Sequence, residues 1–294
     1  MRIFITGITG FIGGRLAHFW QQQHDRTIGG TGRAEERPAT LPASVQYFPV
    51  DFSNLDSLNA ALHSFQPDVV IHSAAMSKPN DCEVQQDLCS LINVDATAAV
   101  VAACEKMNCR LLFMSTDFVF GDHGPFAEDD AYEPVNFYGL SKVRAEELVK
   151  ASAIDWSIVR TVLVYGQQFA GMHATFPQWV KNNLEQGKTI RVFTDQYRTA
   201  TYVDDLVDGI DRIIQQRAKG IYHLSGEETT TPFDFARLVA SYLGYDLSMV
   251  QPTTRIEMPE AARRPIRSTL TIQKAKSELG YAPRSLDVVL PLLF

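Results

Sequence analysis

Positive charge is in short supply: 27 Lys and Arg face 34 Asp and Glu, a net charge of −7. That balance excludes the broad basic surface used to hold nucleic acid or anionic lipid, so neither partner is expected. Cysteine is scarce too, with four in 294 residues. Cys82, Cys89, Cys104 and Cys109 make no C-x-x-C pair and have no histidine at ligand spacing, so no metal site is expected. They read as buried or partly buried free thiols in a reducing compartment, which points to the cytoplasm. No leader is expected at the N-terminus either, since the first residues already read as a core strand. The apolar tail Val288 to Phe294 is far too short to span a bilayer and is expected to dock on the core. There is no internal repeat or low-complexity linker. What remains is ordinary globular composition, 45% hydrophobic and 21% charged, long enough for one large α/β domain or a domain with a smaller lobe.

The first distinctive stretch is Met1 to Gly14. Ile3, Phe4 and Ile5 form the short apolar run of a strand buried on both faces. Gly7, Gly10 and Gly13 follow at three-residue intervals, and Phe11 to Gln22 reads as a helix with Ile12, Leu16, Phe19 and Trp20 on one side. A strand feeding a glycine turn that opens a helix gathers free N–H groups and a positive dipole end at one point. Gly7, Thr9, Gly10, Phe11, Ile12 and Gly13 are therefore expected to hold a dinucleotide pyrophosphate. The spacing, G-x-x-G-x-x-G, is wider than the commonest G-x-G-x-x-G pattern, and the alternative is a glycine turn without a ligand. Arg26 to Thr31 reads as the second strand, ending at Gly32-Arg33. No acid stands there to accept a ribose 2′-OH, because Glu35 and Glu36 lie beyond the arginine. The Arg33 guanidinium suits a 2′-phosphate, so NADP(H) is favoured over NAD(H); otherwise Arg33 is a solvated loop residue.

Further strands are read at Val45 to Val50, Val69 to Ile71, Leu111 to Met114 and Ile158 to Arg160. Helices lie between them: one capped by Ser53 or Asn54 and running to Phe65, and a long one from near Asp87 to Met107 with Leu91, Val94, Ala98 and Val101 inward. This alternation implies an α/β fold, a Rossmann-type doubly wound parallel sheet. Ligands of such sheets bind beyond the carboxyl ends of the strands. That rule places Asp51, Ala74, Ala75, Thr116 and Asp117 along one crevice with the glycine turn; Phe52 is also expected among the cofactor contacts and Ser77 among the substrate contacts. His72 reads as a core histidine. Past Gly166 the rhythm changes, with a helix near Phe176 to Gln186, a strand at Ile190 to Phe193, a helix from Asp204 and a strand at Gly220 to Leu224. Residues 1–165, with 193–225 returning to them, are expected to form the dinucleotide domain. Residues 166–192 and 226–294, including Pro232-started and Thr271-capped helices, are expected to form a smaller C-terminal substrate-binding lobe.

Tyr138 and Lys142 stand four apart on a helix expected from Asn136 onward and so share a face. A phenol is a weak acid or base at neutral pH, and a neighbouring ammonium is expected to lower its pKa. Thr116 at a strand end can donate to a substrate carbonyl. Alone, Y-x-x-x-K also fits an exposed amphipathic helix; downstream of a dinucleotide turn and a Ser/Thr strand end it points to hydride transfer.

The combination of Thr6-Gly-x-x-Gly-x-x-Gly13 with Tyr138-x-x-x-Lys142 resembles the extended branch of the short-chain dehydrogenase/reductase superfamily. Within it, Ser115-Thr-Asp-Phe-Val-Phe-Gly121, Asn136-Phe-Tyr-Gly-Leu-Ser-Lys142, Gly220-Ile-Tyr-His-Leu-Ser-Gly226 and Arg264-Pro-Ile-Arg-Ser-Thr-Leu270 are similar to the dTDP-4-dehydrorhamnose reductases. The resemblance implies an NADP-dependent reductase of the 4-keto group of a nucleotide-linked deoxysugar. It implies that Thr116 holds the keto oxygen, Tyr138 delivers the proton, and Lys142 binds the nicotinamide ribose and tunes Tyr138. Asp51 would contact adenine, Asp117 the sugar hydroxyls, and Arg198 the substrate diphosphate, with Arg263, Arg264 and Arg267 nearby. A homodimer is a candidate assembly. Two departures stand out: Leu163 occupies a position where these reductases carry tryptophan, and Thr271 follows Leu270 where they carry aspartate. Both also fit the regulatory beta subunit of methionine adenosyltransferase, a relative, so a cofactor-binding regulatory subunit stays as an alternative beside a nucleotide-sugar epimerase or dehydratase.

Overall fold

The computed structural model describes the chain except residues 22, 24, 53 and 170–173. The expected cap Ser53 and the expected helix end Gln22 lie outside the described residues. Strand β1 (Arg2–Thr6) leads through the glycine turn into α1 (Phe11–Trp20), then β2 (Thr27–Gly32) and β3 (Gln46–Pro49). Helix α2 (Leu55–Phe65) starts at Asn54, whose side chain accepts from the Asp56 and Ser57 amides, an ordinary N-cap. β4 (Val69–His72) is followed by two short helices, α3 (Pro79–Val84) and α4 (Gln86–Ser90), a π-helical turn (Leu91–Asp95) and α5 (Ala96–Met107). β5 (Arg110–Thr116), a 3₁₀ turn (Asp117–Val119), α6 (Phe137–Ala151) and β6 (Trp156–Thr161) come next.

The remainder holds β7 (Val164–Tyr165), α7 (Phe176–Glu185), β8 (Ile190–Phe193), β9 (Thr201–Tyr202), α8 (Val203–Gln215) and β10 (Gly220–His223). It ends with α9 (Pro232–Tyr242), β11 (Val250–Thr253), α10 (Gln273–Leu279) and α11 (Leu286–Leu293). Among the described residues, seven strands form one sheet in the order β10-β6-β5-β4-β1-β2-β3, every pair parallel. The chain leaves β1 toward β2 and β3, then crosses back to β4, so β1 and β4 flank the switch point where such sheets bind ligands. Apolar side chains fill both faces. Ile3, Ile5, Leu16, Ile71 and Leu206 pack on one side, and Phe4, Leu62, Val70, Val100 and Phe113 on the other. A separate core of Val180, Val192, Phe235, Val239 and Leu290 joins α7, α9 and α11 to the two-stranded β8-β11 sheet.

Two local expectations are corrected. The long helix is broken by its π-helical turn, which holds one residue more than a regular turn and rotates everything after it. The buried face is Asn93, Ala96, Thr97, Val100, Val101 and Cys104; Leu91, Val94 and Ala98, expected inward at regular spacing, are only partly buried. The run Gln86–Met107 is long and apolar enough to cross a membrane by composition, with mean hydropathy 1.5, but this inner face lies in the second of those cores. Thr271 caps no helix: α10 opens at Gln273 behind Ile272, and the Thr271 hydroxyl lies 3.2 Å from the Phe126 carbonyl instead.

Candidate active site

The glycine turn is shaped by close approach of backbone to backbone. Gly7 has φ +69°, and a Cβ on Gly13 would stand 2.5 Å from the Gly7 oxygen and 2.8 Å from the Ile8 Cα. Helix α1 begins behind Gly10 with no side-chain cap, so its first amides have no side-chain acceptor and face the switch point. These features fit a dinucleotide pyrophosphate, which needs close backbone access and free N–H donors. Thr6 ties the two flanking strands together: its hydroxyl accepts from the Ser73 and Ala74 amides at 3.2 and 3.1 Å and lies 2.7 Å from His72 Nδ1. His72 is buried between Thr6 and Thr97, as a core histidine, and burial with the Lys142 charge pushes its pKa down to about 3.

The other expected cofactor residues sit along the same edge. Ala74 and Ala75 are partly buried, while Phe52 is buried and stacks on His72 at 6.3 Å. Asp51, Ser77 and Arg33 are exposed, Arg33 immediately beyond the carboxyl end of β2. Thr9, Phe11 and Ile12 are partly buried around the turn.

Thr116, the last residue of β5, is brought near Tyr138 in the first turn of α6, close enough for the two hydroxyls to act on each other. The Thr116 hydroxyl also donates to Asp117 Oδ1 at 3.0 Å and accepts from the Phe118 amide at 3.2 Å. Burial raises the Tyr138 pKa, and Asp117 adds to the effect, so the lowering expected from Lys142 is absent. Lys142 is buried; its Nζ donates to the Met114 carbonyl at 2.7 Å and stands 3.9 Å from the Phe113 ring centre. Burial draws its pKa down to about 7, opposed by Glu146 and Cys89. Asp117 is buried and raised by burial, although Arg198 and the Ser268 hydroxyl oppose that shift.

Arg198 is buried and faces carbonyls: Tyr197 at 2.8 Å, Pro265 at 2.9 Å and Ile266 at 3.4 Å. Arg264 pairs with Glu260, Arg263 with Asp122, and Arg267 lies over the Tyr197 ring. Leu163 is 37% exposed with φ +36°, a left-handed backbone conformation costly for a branched side chain.

Several supporting residues carried no sequence signal of their own role. Ser268 donates to Asp117 Oδ2 from the far end of the chain. Asn136 caps α6 through the Gly139 amide and donates to the Arg263 carbonyl; an asparagine directly before a helix is the one signal that could have marked it. Beneath the site, buried Glu146 on α6 takes Arg160 Nη2 at 2.7 Å, the Tyr132 hydroxyl at 2.7 Å and the Ser115 hydroxyl at 2.5 Å. This network clamps the helix of Tyr138 and Lys142 to β5 and β6.

A family described as the RmlD substrate binding domain matches residues 1–292. The chain belongs to that family. Among its relatives is the probable low-salt glycan biosynthesis reductase Agl14 of Haloferax volcanii, 27% identical over 98% of this chain and 95% of the relative. Methionine adenosyltransferase 2 subunit beta of Pongo abelii is 27% identical over 97% and 84%. Among solved structures, dTDP-4-dehydrorhamnose reductase of Bacillus anthracis in complex with NADP superposes with TM-score 0.83 at 27% identity, covering 99% of this chain and 97% of that one. Bordetella bronchiseptica WbmG in complex with NAD reaches TM-score 0.84 at 25% identity, covering 99% and 92%. The family match covers residues 1–292, so the glycine turn, Thr116 and Tyr138 all lie within it.

Proposed function

We propose that this chain is a nicotinamide-dependent reductase acting on the 4-keto group of a nucleotide-linked deoxysugar, with NADP(H) as the preferred cofactor. The observation that carries the reading is the closeness of Thr116 to Tyr138, with Lys142 one helical turn behind, on the same sheet edge as the uncapped glycine turn. Gly7 to Gly13 would hold the pyrophosphate, Arg33 the 2′-phosphate, and Asp51, Phe52, Ala74 and Ala75 the adenosine and its neighbourhood. Bound NADPH supplies the hydride. Tyr138 keeps its proton through the neutral range because burial disfavours the phenolate, which suits the acid needed when a ketone becomes an alcohol. Thr116, whose hydroxyl donates to Asp117 here, would turn that donor to the keto oxygen. Lys142 would hold the nicotinamide ribose, and Asp117 the sugar hydroxyls. The reductases among its relatives and the NADP of the Bacillus anthracis structure support this reading.

Leu163 favours a second reading. Its aliphatic side chain gives a sugar ring no aromatic face, and the methionine adenosyltransferase beta relative suggests a regulatory subunit that keeps the cofactor fold. One assay separates them. Purified protein with NADPH and dTDP-4-keto-6-deoxysugars should consume nicotinamide absorbance in proportion to enzyme. Unchanged absorbance, with a stoichiometric partner enzyme recovered by pull-down, would favour the regulatory subunit.

A further inference from the structure

One polar cluster beside the site has no part in that chemistry. Cys82 on α3 and Cys89 on α4 are folded together around the Met76 carbonyl and the Asn93 amide, close enough for the two thiols to act on each other. Both are buried, directly beneath an exposed skin of Asp81, Val84, Gln86, Asp87 and Leu88. The Cys82 thiol donates to the Met76 carbonyl at 3.2 Å. Asn93, on the π-helical turn, gathers the rest: its Nδ2 reaches the Met76 carbonyl at 3.0 Å, Cys89 Sγ at 3.3 Å and Ser141 Oγ at 2.9 Å. Its Oδ1 accepts from the Met76 amide at 2.8 Å, and Ser141 in turn donates to the Tyr138 carbonyl at 2.7 Å. The two sulfurs therefore belong to a knot joining the Met76–Ser77 edge of the crevice to the helix of Tyr138 and Lys142.

We propose that Cys82 and Cys89 are an oxidisable pair that closes to an intrachain disulfide when the protein meets a peroxide. Cys89 is the attacking sulfur. The nearby Cys82 thiol, with help from Ser141, Asn93 and Lys142, draws its pKa down to about 7 against the effect of burial, while Cys82 is raised and keeps its proton. The Cys89 thiolate attacks one peroxide oxygen and breaks the O–O bond, giving a sulfenic acid; the departing hydroxide takes a proton and leaves as water. The Cys82 sulfur then displaces the sulfenic hydroxyl, its own proton completing a second water, and the S–S bond forms. Two thiols are oxidised and one peroxide is reduced. An S–S bond of ~2.05 Å is shorter than any thiol contact, so α3 and α4 are drawn together. The Met76 carbonyl loses its Cys82 donor, and the loop loosens from α6. Cys104 and Cys109, also in contact, lie at the amino end of β5, away from the crevice, and serve as an internal comparison.

The effect on turnover rests on the reductase reading; the bond itself does not. The full chain would be treated with hydrogen peroxide, alkylated without reduction and cut after glutamate. Glu83 separates Cys82 from Cys89, a second cut after Asp95 separates Cys89 from Cys104, and Glu105 separates Cys104 from Cys109, so the joined peptides identify the sulfurs. The expected result is a Cys82–Cys89 link reversed by dithiothreitol. NADPH-dependent turnover should fall roughly ten- to a hundred-fold, the scale produced by a shift of about 1 Å near reacting groups. Cys82→Ser should keep its turnover under the same peroxide. Alkylated Cys82 and Cys89 after oxidation, or a link confined to Cys104–Cys109, overturns the pair. A Cys82–Cys89 link in an active enzyme whose turnover is unchanged overturns its coupling to the crevice.

Discussion

Tyr138 and His72 show how burial sets the chemistry of single side chains here. Tyr138→Phe removes only the hydroxyl that lies near Thr116, so turnover should drop by ~10²–10⁴-fold while NADPH binding is kept; steady-state rates beside a cofactor titration check this. His72 binds its proton only near pH 3 when folded, against the ordinary 6.5. Below pH 6.5 the unfolded chain therefore takes up a proton that the folded chain refuses, and stability falls as pH drops toward 3, by ~1.4 kcal/mol per pH unit for this one group. His223, also pushed down to about 3 by burial, acts in the same direction. Lys142, drawn down to about 7, is almost fully protonated in both states below about pH 6 and adds little slope there. Denaturant titrations between pH 6.5 and 4 should show a shallower decline for His72→Gln than for the wild-type chain.

At the scale of the element, α6 is held less by its own amphipathic pattern than by what grips it. The buried Arg160–Glu146 pair joins it to β6, and the Ser115 hydroxyl joins it to β5. Arg160→Met would leave the Glu146 carboxylate buried without its hydrogen-bonded cation, a loss of ~3–5 kcal/mol. Urea unfolding should report that loss, and an equally stable variant would sink the clamp. The same element shows why the Tyr138–Lys142 spacing was readable: four residues on a helix share a face whatever surrounds it. The helix before it was not readable in the same way. A π-helical turn at Leu91–Asp95 shifts the phase, and no local residue type announces it; it brings Asn93 to Met76, Cys89 and Ser141, which are contacts made in space.

At the scale of the whole molecule, the C-terminal segment is tied to the elements that carry the candidate site. Ser268 reaches Asp117, and Asn136 reaches the Arg263 carbonyl. Arg15 pairs with Asp204 and Arg284 with Asp205, so α8 is anchored on both sides. A ligand that binds only the assembled crevice stabilises the fold by mass action. NADPH at ~100 times its Kd should add ~2.7 kcal/mol, seen as a thermal shift. NADH at equal concentration should shift the transition less, and Arg33→Ala should remove most of the difference. Equal shifts from both cofactors in the wild-type chain would remove Arg33 as the selector.

The sequence by itself determined the parallel α/β alternation, the glycine turn and the Tyr138–Lys142 pair. Each is a local pattern: apolar runs of strand length, glycines where backbones must touch, and one turn of helix between two side chains. Only the tertiary structure decided that Arg198 spends its guanidinium on buried carbonyls, that Ser268 supports Asp117, and that Cys82 and Cys89 gather around Met76 and Asn93. Those contacts join residues from separate elements, so they depend on how the elements dock, and nothing in the neighbouring residues encodes that docking.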